Sequence, residues 1–331
     1  MNSTEVNHIF EQFSQMRALV IGDAMVDTYL WGKVERVSPE APIPVVSVTN
    51  RENRLGGAAN VSLNIQSLGA TPILFSVVGD DEKGRKFKKL LQKNNLSCDG
   101  IFVDPNRITT VKNRIISKGQ HIARVDEETT DFISPEFQKK LIEGIKEKIE
   151  KNNIDVIVFV DYDKGVITPN LFDTINKLAI KKNIPIAVDP KKRNFKHYRN
   201  ISLFKPNFKE FVDGTGIDIK KGDLDSLREA AIELKQKQNF KLIFITLSEL
   251  GAFISNGIKE QYYPAVIRYI ADVSGAGDTV ISVASLAMAA GVQPKKMALM
   301  SNIAGGLVCE KLGVVPVDKN QLMQVMRQQN I

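Results

Sequence analysis

The stretch Asp272-Val273-Ser274-Gly275-Ala276-Gly277-Asp278-Thr279-Val280 sets two glycines around one alanine, follows them at once with a carboxylate, and then turns apolar and alanine-rich. Val280, Val283, Ala284, Ala287 and Met288 recur at helical spacing, which predicts a helix starting close to Asp278. The first amides of a helix are unpaired and carry partial positive charge. Gly275, Ala276 and Gly277 therefore let an anion approach the backbone closely, as a phosphoryl group in transfer would. A carboxylate beside such a cradle repels phosphate, so its use there is to take the proton of an attacking hydroxyl, and Asp278 is the expected general base. The competing reading is a tight turn with a helix cap, because short glycine patterns recur by chance.

Other polar groups fall where strands should end. Arg17-Ala18-Leu19-Val20-Ile21-Gly22-Asp23 reads as a buried strand closed by glycine, and Asp23 and Asp27 are candidates for holding substrate hydroxyls or, alternatively, for capping a turn. Gly56 and Gly57 are expected to open a small-residue helix that closes at Gly69, with Asn60 as a polar group on its first turn. Asn207 and Glu210, three apart after Lys205-Pro206, suit the water shell of a magnesium ion. The predicted strand Leu242–Thr246 leads into Leu247-Ser248-Glu249-Leu250-Gly251, which places Thr246, Ser248 and Gly251 near a nucleotide phosphate or ribose. Asn302 lies on a predicted helix of small residues with room at its backbone for an adenine ring.

The elements that must position these groups follow an α/β order. From Ser134 onward helices alternate with short apolar strands, including Val156–Val160, Pro185–Val188 and Leu242–Thr246, which implies a parallel sheet with helices on both faces. Two segments break that rhythm. About 28–53 holds Trp31, the proline cluster Ser38-Pro39-Glu40-Ala41-Pro42-Ile43-Pro44 and an alternating Val45–Val48 run, so it should be extended. About 107–127 reads as a strand pair around Lys118-Gly119-Gln120. Together they predict a small sheet projecting from the main body, able to cover a substrate and exclude water.

At 331 residues and 43% hydrophobic content the chain can bury one large core, and it is expected to be a single domain over residues 1–331. No apolar run approaches 20 residues and no charged-then-apolar leader begins at Met1, so a cytoplasmic protein without a membrane partner is expected. Cys98 and Cys309 stand far apart and are expected to be reduced. The net charge of +7 is spread among carboxylates, and aromatics do not interleave with the basic residues, so no nucleic-acid partner is expected. His8, His121 and His197 form no constellation in the sequence.

Gly56-Gly57-Ala58-Ala59-Asn60, Lys205-Pro206-Asn207-Phe208-Lys209-Glu210 and Gly275-Ala276-Gly277-Asp278, in that order, resemble the ribokinase-like sugar kinases of the PfkB group over nearly the whole chain. Gly22–Asp27, Val37–Val45, Asp161–Gly165 and Thr246–Gly251 resemble the heptose 7-phosphate kinase branch of that group. The resemblance implies a central, mostly parallel sheet with a small β-sheet lid. It also implies transfer of phosphate from ATP to O1 of D-glycero-D-manno-heptose 7-phosphate, on the route to ADP-heptose for lipopolysaccharide cores. In this likeness Asp278 is the base, Gly275–Gly277 the anion hole, and Asn207 and Glu210 position magnesium and phosphates. Asp27, Gly57 and Asn60 hold the sugar, while Ser248, Gly251 and Asn302 fall near the nucleotide. A sugar phosphate needs cations, for which Arg114, Arg124, Lys164, Lys191, Lys192 and Arg193 are the candidates. The likeness further implies potassium near Asp272 and a homodimer through the lid strands. Many members of the branch continue into a nucleotidyltransferase domain. Nothing follows Ile331, so a separate protein is expected to add the AMP. Where that branch carries an arginine and aromatics after the Asp27 position, this chain has Thr28-Tyr29-Leu30-Trp31, which leaves room for another sugar or a nucleoside as acceptor. A non-catalytic sensor on the same scaffold is the remaining alternative.

Overall fold

A computed structural model describes residues 3–265 and 269–328, so the ends of the expected 1–331 domain lie outside the described residues. Helix α1 (Ser3–Gln15) buries Val6, Ile9, Phe10 and Phe13 and delivers the chain to β1 (Arg17–Gly22). Two long strands follow, β2 (Ala24–Val37) and β3 (Pro44–Gly57), then α2 (Ala58–Ser67), β4 (Thr71–Gly79), α3 (Glu82–Lys93) and β5 (Ile101–Asp104). A hairpin of β6 (Val111–Ser117) and β7 (Gln120–Glu127) comes next. The chain then runs through α4 (Pro135–Lys151), β8 (Val156–Val160), α5 (Pro169–Lys182), β9 (Ile186–Asp189), β10 (Leu203–Phe204), α6 (Phe208–Thr215) and α7 (Leu224–Gln238). It closes with β11 (Leu242–Thr246), the hairpin β12 (Ala252–Ser255) and β13 (Glu260–Tyr263), and three helices, α8 (Ala276–Ala289), α9 (Pro294–Cys309) and α10 (Lys319–Gln328).

The main sheet has nine strands in the order β13-β12-β11-β10-β9-β8-β1-β4-β5. Pairing is parallel from β11 through β5 and antiparallel only at the β12–β13 edge. Strand β8 shows why its residues form a central strand: all five are apolar and fully buried, as a sheet covered on both faces requires. Val156, Val158 and Val160 join the core under α1, α2, α3, α8, α9 and α10, while Ile157 and Phe159 join the core under α4, α5, α6 and α7. Among the described residues no helix is long and apolar enough to cross a membrane.

The small sheet has the order β3-β2-β6-β7, with β2 parallel to β6 and both hairpins antiparallel. Pro39 and Pro42 occupy the β2–β3 connection and Pro44 is the first residue of β3, where a missing N–H costs no ladder bond. Lys118 and Gly119 both take positive φ, 50° and 77°, as a tight hairpin turn demands. The strands reach back to Ala24 and Gly57, beyond the expected 28–53 segment. One boundary is corrected: Gly56 and Gly57 end β3 rather than opening a helix, and α2 starts at Ala58.

Candidate active site

Helix α8 begins after Gly275, whose φ of +81° is left-handed and whose missing side chain leaves room for the Asn60 amide, 3.0 Å from where a Cβ would stand. No side chain caps this helix; the Ala276 amide donates to Val273 O at 3.3 Å, and the amides of Gly275 and Gly277 remain available to an anion. Asp278 sits on the first turn and is 2% exposed. Its Oδ2 accepts from Asn60 Nδ2 at 2.7 Å and its Oδ1 accepts from the Tyr162 hydroxyl at 2.7 Å. Behind this pair Asn64 Oδ1 accepts from Thr279 Oγ1 and from the Val317 amide, both at 3.0 Å, which locks α2 against α8. Burial pushes the Asp278 carboxyl up to about 6; the bonds from Asn60 and Tyr162 oppose the rise, and the charges of Asp189 and Asp27 add to it.

The anion cradle opens into a cavity of about 650 Å³. Lys205, nearly fully buried, pairs with Asp189 at 3.2 Å, and its ammonium lies 3.9 Å from where a Cβ on Gly277 would be. Gly277 is not in the left-handed region, so its lack of a side chain serves approach to the amides rather than the turn. Asn207, Thr246, Ser248, Gly251 and Asn302 all line this cavity, with Gly275, Ala276 and Gly277. Asn302 Nδ2 donates to Pro264 O at 3.1 Å. Asn207 and Glu210 are a capping box: Asn207 Oδ1 accepts from the Glu210 amide and Glu210 Oε2 from the Asn207 amide, each at 2.8 Å. Glu210 Oε1 is paired with Lys191. Neither residue is thus an open ligand, and among the described residues no group of three His, Cys, Asp or Glu is placed to hold a metal. The pair fits magnesium only as an outer contact, through water, to an ion that nucleotide phosphates would carry.

Several residues expected to contact substrate have partners within the protein. Asp23 is 1% exposed and its oxygens accept from the amides of Tyr162, Lys164 and Val166 at 2.8, 3.0 and 3.0 Å, so it ties down the loop after β8. Arg114 is taken by a buried ion pair with Asp27, the same carboxylate that closes over Gly56. Gly57 takes a φ of +58° with its Cα against the carbonyl of Asp23. Arg124 pairs with Asp126 at 2.9 Å on β7, and Lys164 with Glu128 at 2.7 Å. Asp272 accepts from the amides of Ser274 and Gly313, both at 2.9 Å, and faces His121 Nε2 at 3.3 Å. Burial would raise its carboxyl, but the bonds from Ser274, Gly313 and His121 together hold it below the ordinary range. Both oxygens of Asp272 therefore have partners within the protein. The histidines stay apart from one another: His121, on β7, meets Asp272, and His197 meets Asp173 at 3.1 Å. Cys98 and Cys309 are unpaired, and Cys309 lines the cavity.

Tyr162, Asp189 and Lys205 fall in stretches that the sequence singles out without giving these three residues a role. Each stands at the C-terminal end of a parallel strand, β8, β9 or β10, and that position is the signal that would have found them.

A profile described as pfkB family carbohydrate kinase matches residues 15–320. The bifunctional protein HldE of Geotalea uraniireducens is 38% identical over 325 residues, covering 98% of this chain and 65% of that protein. The protein of the same name from Aliarcobacter butzleri is 40% identical over 295 residues, covering 89% of this chain and 61% of that protein. The chain thus spans less than two thirds of these relatives. Among solved structures, phosphofructokinase-2 from Escherichia coli in complex with substrates and products superposes with a TM-score of 0.77 at 18% identity, covering 95% of this chain and 98% of that one. Arabidopsis thaliana ribokinase complexed with ribose and ATP gives 0.71 at 16%, covering 93% and 98%. At such identities these likenesses show a shared ribokinase-like α/β fold.

Proposed function

Because the chain belongs to the pfkB family of carbohydrate kinases, and so is a sugar-kinase phosphotransferase, we propose that it moves the γ-phosphoryl group of ATP to O1 of D-glycero-D-manno-heptose 7-phosphate. The observation that carries the chemistry is Asp278, buried at the mouth of an uncapped helix and held by Asn60 and Tyr162. The acceptor is supported by the stretches that resemble the heptose 7-phosphate kinase branch and by 38–40% identity to proteins named HldE. The product is then the 1,7-bisphosphate, on a route to ADP-heptose for lipopolysaccharide cores, and ATP as co-substrate supports a cytoplasmic place of action.

In this reading O1 attacks the γ-phosphorus in line as its proton passes to Asp278, and ADP leaves. The amides of Gly275 and Gly277 and the Lys205 ammonium take up the charge that grows on the transferred group. Asn207, Thr246, Ser248, Gly251 and Asn302 line the nucleotide side, and Asn60 and Asp27 the sugar side. Asn207 and Glu210 would steady, through water, a magnesium ion brought by the nucleotide, which would supply further charge neutralisation. The small sheet serves as a lid, and its outward apolar residues, including Val48 and Val125, support a homodimer through that sheet.

An ADP-release assay over sugars, sugar phosphates and nucleosides tests the reading. The heptose 7-phosphate is expected to be turned over best, and Asp278→Asn to reduce that turnover by ~10²-fold or more. A better acceptor elsewhere in the panel overturns the heptose assignment, and near-normal turnover by the variant overturns the assignment of the base.

A further inference from the structure

The lid sheet itself presents a cation that the sequence did not single out. Lys112 on β6 stands opposite Asp27 on β2, and its ammonium lies 5.5 Å over the ring of Tyr162. Lys191 lies 5.2 Å over the same ring. The hydroxyl of that ring donates to Asp278, so both lysines are one aromatic ring away from the base.

Of the cations expected to receive a phosphate on the acceptor, all but Lys192, which is exposed to solvent, are already matched. Arg114 is taken by Asp27, Arg124 by Asp126, Lys164 by Glu128, Arg193 by Asp163 and Lys191 by Glu210. Lys112 differs. It is half-buried, yet among the described residues it has no ion pair and no hydrogen bond, only the face of Tyr162. Asp126, Asp27 and Glu128 act on it from beyond pairing distance, and burial holds its ammonium below the usual range. A partly desolvated charge without a counter-charge lowers stability, and a ligand that brings the opposite charge removes that penalty.

We propose that Lys112 receives the phosphate that the sugar already carries, and that it thereby selects phosphorylated over unphosphorylated acceptors. The inference rests on the sugar-phosphate kinase reading above and adds to it the residue that enforces the substrate class. The tyrosine face between lysine and base sets the spacing: one end of the acceptor is held at Lys112 while its far hydroxyl is offered to Asp278.

The test compares kcat/KM for D-glycero-D-manno-heptose 7-phosphate and for the unphosphorylated heptose, at saturating ATP, in the wild type, Lys112→Met and Lys112→Arg. Removing the cationic partner of a charge-assisted hydrogen bond should make the phosphorylated-to-unphosphorylated ratio fall by about 10-fold or more in Lys112→Met. The effect should sit in the KM for the sugar phosphate and not in the KM for ATP. Lys112→Arg, which keeps the charge, should retain most of the ratio, and this separates impaired recognition from impaired folding. An unchanged ratio in Lys112→Met overturns this inference alone. A wild type that ignores the phosphate overturns both this inference and the acceptor assigned above.

Discussion

Asp278 combines two demands that pull in opposite directions. Burial raises its carboxyl from the ordinary 3.8 to about 6, yet the proposed role of general base requires the group to be ionised. With the base titrating there, kcat/KM should fall about tenfold per pH unit below pH 6 and level off above it, and a pH–rate profile checks this. Tyr162→Phe removes a donor that lowers the carboxyl, so the acid limb of that profile should move to higher pH. Stability runs the other way. A carboxyl raised in the folded state adds stability that is fully present below 3.8 and lost as the pH rises through about 6. At pH 8 the ionised, buried group therefore costs on the order of 3 kcal/mol. Asp278→Asn should melt above the wild type at pH 8, with the gap closing toward pH 4, and a variant melting below the wild type at pH 8 would contradict this account.

Helix α8 and the loop after β8 reach the site by different means, and substitutions in them should separate. The loop depends on Asp23, whose carboxylate accepts three amides inside the protein. Asp23→Ala leaves those amides without acceptors, a cost on the order of 3 kcal/mol or more, and releases Tyr162 from its place beside the base. Both the melting temperature and turnover should drop. At the start of α8 the backbone of Gly277 is ordinary and a Cβ there meets nothing closer than 3.9 Å. Gly277→Ala should leave the melting temperature at or above the wild-type value, because alanine favours a helix over glycine. Its methyl group would stand in the phosphate cradle, so turnover should fall by ~10-fold or more. A Gly277→Ala protein with wild-type kcat would place the anion hole elsewhere.

The small sheet is pinned to the loops that flank α8 and α9. Arg54 Nη1 donates to the carbonyls of Leu312 and Val314 at 3.0 and 3.1 Å, the Val314 amide donates to the Tyr29 hydroxyl at 2.8 Å, and His121 reaches Asp272. Elsewhere on this sheet Val37, Val48 and Val125 are each more than half exposed. Apolar residues gathered on one outward sheet, next to an unpaired strand edge, are a surface for a second copy. Analytical ultracentrifugation should show a dimer for the wild type and a monomer for Val48→Lys/Val125→Lys, whose core is untouched. A monomeric wild type would end the homodimer proposal.

The unbroken apolar run of β8, the proline cluster between β2 and β3, and the Gly-Ala-Gly-Asp turn at the head of α8 were legible because each depends on local rules: burial on both faces, a missing donor, an uncapped helix start. Partnership was not legible, because it is set by side chains far apart in the chain. Nothing near Asp23 shows that its oxygens go to amides some 140 positions on, or that Asn207 and Glu210 satisfy each other before any ion. Nothing near Arg114 shows that Asp27 claims it and leaves Lys112, two residues earlier on β6, facing the site uncompensated. Alternation along a strand puts residues two apart on the same face, so the pattern treats these two cations alike; only the packing of sheet against sheet decides which one meets a counter-charge and which is left for the substrate.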